Sequence, residues 1–76
     1  MRKAIDQDTL QALVSSSAMR DFRVVRYGTG WTLQGRLGGY WLPIRSRREP
    51  IRTWASLTAV GRFSEKVGIP TFTVEL

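Results

Sequence analysis

Two glycine pairs, ten residues apart, constrain this chain more than anything else in it. Gly28-Thr29-Gly30 and Gly38-Gly39 bracket the run Trp31 to Leu37, and each supplies the positive φ angles that a tight hairpin loop requires. Between them Trp31, Leu33 and Leu37 point one way and Thr32, Gln34 and Arg36 the other, the period-two pattern of a strand with one wet face. Upstream, Phe22-Arg23-Val24-Val25-Arg26-Tyr27 is rich in β-branched and aromatic residues and reads as the preceding strand. Downstream, Tyr40, Leu42 and Ile44 share one face and Trp41, Pro43 and Arg45 the other. Pro43 cannot donate to a ladder, so it implies an edge, a bulge or an early strand end. A loop, Ser46-Arg47-Arg48-Glu49-Pro50, then precedes a last short meander strand over Ile51 to Trp54.

Helical signals flank this β region. Leu10, Leu13 and Val14 are spaced i, i+3, i+4 behind Asp6 or Asp8 as N-cap, predicting a helix from about Asp8 to Ser16 that fades in Ser15-Ser16-Ser17. Ser56 caps a second helix with the apolar stripe Leu57, Val60, Phe63 and Val67. Gly68 fits its left-handed C′ position, and Pro70 prevents continuation. Thr71 to Leu76 alternates as a terminal strand with Phe72, Val74 and Leu76 inward. The expected order is α-β-β-β-β-α-β: an α+β fold whose antiparallel β meander is packed on one face by two short helices, with the C-terminal strand joining the sheet.

At 76 residues one small domain over 1–76 is the only reasonable division, burying roughly 60% of its unfolded surface and leaving little room for a deep pocket. Neither cysteine nor histidine is present, so disulfides, thiolate metal sites and the commonest acid-base group are all missing. We therefore expect no enzyme activity, catalytic residue, metal or cofactor. Gly28-Thr29-Gly30 lacks the third glycine and following helix of a dinucleotide loop. Ser64 and Lys66 are too close in sequence for a helical dyad, and Asp6 and Asp8 are better explained as helix-start residues. Neither a secretion signal around Met1-Arg2-Lys3 nor about 18 consecutive apolar residues for a membrane span can be found. The expected location is cytoplasmic.

Charge points to polyanionic partners. The net charge is +6 and the pI near 11.2, and the whole excess lies between Arg20 and Arg52, where eight arginines face only Asp21 and Glu49. Guanidinium groups bind phosphate bidentately and stay charged in any environment. The candidate nucleic-acid-binding residues are Arg36, Arg45, Arg47, Arg48 and Arg52, with contacts mainly to phosphate. Trp41, on the face shared with Arg45, is the best candidate for stacking on an unpaired base. Trp31 and Tyr40 fall among apolar neighbours and are expected in the core. The bland alternative is a solvated hairpin tip kept soluble by its charge.

From Arg52-Thr53-Trp54-Ala55-Ser56-Leu57 through Phe63 and Val67-Gly68-Ile69 to Phe72-Thr73-Val74-Glu75-Leu76, the chain resembles small plasmid-encoded, ParC-like, partition-associated proteins. The Asp8-Thr9-Leu10-Gln11-Ala12-Leu13-Val14 helix and the Gly30-Trp31-Thr32-Leu33 hairpin extend the likeness over most of the chain. The resemblance implies an accessory role in plasmid maintenance, with DNA and partition or replication proteins as partners. A protein-binding adaptor or inhibitor from a mobile element, docking on a nucleoprotein complex, is the alternative. A homodimer paired through an exposed sheet edge is a third.

Overall fold

A computed structural model describes residues 3–76; Met1 and Arg2, the start of the segment read as lacking a secretion signal, lie outside the described residues. The fold is α+β, in the order α1 (Gln7–Ser15), β1 (Phe22–Tyr27), β2 (Gly30–Leu37), β3 (Tyr40–Pro43), α2 (Leu57–Val67), β4 (Thr73–Glu75). The four strands form one sheet in the order β3-β2-β1-β4. The two glycine turns close the antiparallel pairs β1–β2 and β2–β3, with Val24 opposite Leu33 and Arg36 opposite Trp41.

Both helices start where their caps dictate. The Asp6 side chain accepts from the Thr9 N–H at 2.8 Å, and Ser56 Oγ accepts from the Ala59 N–H at 3.2 Å. Gly68 ends α2 at φ 91°, and the Gly68 and Ile69 N–H groups both return to the Ser64 carbonyl. Val60, Phe63 and Val67 of α2 join Leu10 of α1 and Phe22, Val24 and Leu33 of the sheet in one buried cluster. Leu57, in the first turn of α2, stays exposed.

Gly61 sits inside α2, and an added Cβ there would meet nothing within 4 Å. Glycine in a helix interior is about 1 kcal/mol worse than alanine. Gly61→Ala should therefore raise the thermal midpoint by roughly 4 to 8 °C, as measured by circular dichroism.

Three details of the expected architecture are corrected. The segment Ile51 to Trp54 is not a fourth meander strand; it meets β2 at one antiparallel bridge, Trp31 with Trp54. The reason is competition, since β3 already occupies that edge of β2 from Gln34 to Leu37. Only the edge near Gly30 and Trp31 is left. There the Trp31 N–H donates to the Trp54 carbonyl at 2.9 Å and the Trp54 N–H to that of Trp31 at 2.8 Å.

The terminal strand joins the sheet, but its side chains are not all inward. It lies parallel to β1, Val74 beside Val24, at the sheet margin. Phe72 packs against the core, whereas Val74 is 37% and Leu76 94% exposed. Tyr40, expected in the core, is 57% exposed, because it lies in the first residue of β3, directly after the Gly38-Gly39 turn.

Candidate nucleic-acid interface

The register of the sheet sorts its side chains. Paired residues project to the same side, so Phe22, Val24, Leu33 and Leu42 share the helix-packed face. Arg23, Gln34, Arg36 and Trp41 share the other. On that open face Arg23 reaches across two strands. Its Nε donates to Gln34 Oε1 at 2.6 Å, its guanidinium carbon lies 4.3 Å from the centre of the Trp41 ring, and its Nη1 is 3.7 Å from Glu75 Oε2. A cation over an indole face is attracted by the ring quadrupole, so Arg23 holds Trp41 half-buried and fixed in place.

Arg36 is Trp41's cross-strand partner and is exposed. Its backbone N–H donates to the Asp21 carbonyl at 2.9 Å, which ties the chain before β1 to β2. The guanidinium itself is in no ion pair among the described residues. Beside this row lies a cleft of about 490 Å³ bounded by Arg20, Asp21, Arg23, Arg36, Trp41 and Glu75.

The loop after β3 presents a second basic element. The Ser46 N–H donates to the Glu49 carbonyl at 2.9 Å, and the Glu49 N–H donates to Ser46 Oγ at 3.0 Å. Arg47 and Arg48 occupy the middle of this four-residue turn and are exposed at its tip. The mouth of the loop is closed by the Arg52 N–H, which donates to the Ile44 carbonyl at 2.7 Å, while Ile5 lies alongside Ile44.

The arginines adjacent in sequence thus serve different purposes in space. Arg45 is ion-paired with Asp6 at 3.5 Å. Hydrogen bonding from Thr9, by backbone and side chain, holds the Asp6 carboxyl below its ordinary range, and Arg45 adds a weaker pull. Asp6 is therefore charged at neutral pH and offsets Arg45. Arg52 is half-buried, its guanidinium 4.9 Å from the Trp54 ring centre and 4.7 Å from that of Phe63, so it packs as much as it charges the surface.

A hollow of about 810 Å³ beside the loop is lined by Arg45, Arg47 and Arg52 but also by Asp6, Asp8 and Glu49. Three positive groups and three negative ones leave it no bias toward a polyanion. Of the six residues chosen from sequence, then, Arg36 and Trp41 come together on the open sheet face, Arg47 and Arg48 stand at the loop tip, and Arg45 and Arg52 are engaged within the fold. Arg23 and Gln34 were missed. The alternation of β1 was enough to put Arg23 on the face opposite Phe22 and Val24, but nothing in sequence announces Glu75 as its partner.

Among the described residues no group of acidic side chains could hold a metal ion, and no helix is long and apolar enough to cross a membrane. No protein-family model, curated protein or solved structure matches the chain.

Proposed function

We propose that this chain is a non-enzymatic DNA-binding accessory protein that holds the phosphate backbone with guanidinium groups on the open sheet face and at the tip of the 46–49 turn. One observation carries the reading. Of the eight arginines between Arg20 and Arg52, only Arg23 and Arg45 contact a carboxylate among the described residues, and Arg36, Arg47 and Arg48 are exposed. Unneutralised guanidiniums on a small fold give a field that draws polyanions and releases counterions from them. With the resemblance noted above, the role we propose is at a plasmid's partition or replication complex. A chain without histidine or cysteine has few routes to catalysis, which favours binding over chemistry.

The test is fluorescence anisotropy with labelled DNA across a salt series. The logarithm of the affinity should fall linearly with the logarithm of salt, by about 0.7 to 0.9 per phosphate neutralised. Absence of binding even at low salt overturns the proposal.

A protein-binding adaptor is the second reading, and β4 favours it. This strand ends the sheet with Val74 and Leu76 exposed, a margin on which another chain, including a second copy, could add a strand. Light scattering at high concentration separates the dimer from the monomer.

A further inference from the structure

The open face of a sheet backed by helices can take up unpaired nucleotides when aromatic rings and guanidinium planes stand on it, because every base offers a π-face to stack on them. Here the ring and the guanidinium are already assembled. Arg23 lies over Trp41 at 4.3 Å, and Gln34 fixes it through a hydrogen bond of 2.6 Å. Arg36 stands opposite Trp41 in the β2–β3 pairing, and Arg20 lines the same cleft, so three guanidiniums against the carboxylates of Asp21 and Glu75 leave the cleft a net positive lining. The cleft measures about 490 Å³ and is broadly open to solvent, so a strand can lie along it and set one base against its wall. A double helix cannot offer a base to it, since its bases are already stacked on one another.

We infer that this cleft is a subsite for one unpaired nucleotide of single-stranded DNA, the base packing against the Arg23–Trp41 pair and the phosphate lying on Arg36 and Arg20. The inference rests on the DNA-binding reading and narrows it from a charged surface to a strand-selective one. Glu75 acquires a part in it. At 3.7 Å from Arg23 and on the cleft wall, its carboxylate opposes the Arg23 charge while the cleft is empty and repels an entering phosphate.

The experiment compares a labelled thymidine oligonucleotide with a duplex of the same length and salt, using the full chain and the variants Trp41→Ala, Trp41→Phe and Glu75→Gln. The wild type should bind the single strand at least about tenfold more tightly than the duplex. Trp41→Ala should lose that preference, Trp41→Phe should retain most of it, and Glu75→Gln should tighten single-strand binding severalfold. Circular dichroism melts establish that each variant is folded. If Trp41→Ala fails to fold, Trp41→Phe and the exposed Glu75→Gln still decide the matter. Equal affinity for the two forms of DNA, or a single-strand affinity that neither Trp41→Ala nor Glu75→Gln changes, overturns the subsite and leaves salt-dependent DNA binding standing. Binding to neither form overturns both.

Discussion

Replacing Arg36, Arg47 and Arg48 together by alanine will weaken DNA binding by about a hundredfold at low salt and flatten its salt dependence by about 2 to 3 units in the log–log slope. All three side chains are exposed, and none is in an ion pair among the described residues. Their removal should leave the melting curve almost unchanged, because surface substitutions away from packing features usually lie within about 0.5 kcal/mol of neutral. Arg45 and Arg52 stay in place in this variant. Arg45 is paired with Asp6, and Arg52 lies over Trp54 and Phe63, so deleting either would mix a change of fold with a change of charge. A triple variant that binds as wild type does, with the same slope, would show that these guanidiniums touch no phosphate.

Gly30→Ala will be strongly damaging, lowering stability by roughly 3 kcal/mol and the thermal midpoint by more than about 10 °C. An added Cβ would stand 2.5 Å from the Trp54 carbonyl oxygen, the atom that accepts the Trp31 N–H at 2.9 Å. The obstacle is backbone, which no rotamer change relieves. Retreat of Trp54 would break both bonds of its bridge with Trp31 and disturb its ring contact with Phe63, whose centroid is 5.0 Å away. A domain of this size holds a net stability at the low end of about 5 to 15 kcal/mol, so a large part would be gone. The identical substitution at Gly61, where the space is open, has the opposite sign. An unchanged melt for Gly30→Ala would mean that Trp54 does not lie against β2 as described.

What the sequence disclosed and what it withheld follow from how local each determinant is. The hairpins were readable because Gly28, Gly38 and Gly39 all adopt positive φ, a demand satisfied within the turn itself. The ends of α2 were readable for the same reason, Ser56 and Gly68 acting on backbone groups a few residues away. The fate of Ile51 to Trp54 was not, since it depended on how much of the β2 edge β3 would leave free. Nor was the exposure of Val74 and Leu76, which follows from β4 settling parallel to β1 at the sheet margin. The candidate binding residues divide along the same line. That Arg36 and Trp41 each lie on a strand's polar face was readable from alternation, a local signal, and the register sets them opposite each other. Arg45 and Arg52 were grouped with Arg47 and Arg48 by adjacency in sequence, but the turn closed between Ser46 and Glu49 sends these neighbours to different surroundings. Arg23 draws its partners from three other strands, Gln34, Trp41 and Glu75.

The bond across the mouth of the loop, Arg52 to Ile44 at 2.7 Å, makes residues 45–51 a module fastened at its base. Because the stem is fixed by Ile5 and Ile44 on one side and by Trp31 and Trp54 on the other, and Arg45 and Glu49 are tied to Asp6 and Thr53, only the Arg47-Arg48 tip between them is free of the core. Doubling a flexible loop costs only about 0.6 kcal/mol in closure entropy. This tip is therefore the natural graft point of the molecule, where a peptide, a fluorophore or a different set of charges can be installed to retarget the protein while the sheet beneath it stays as it is.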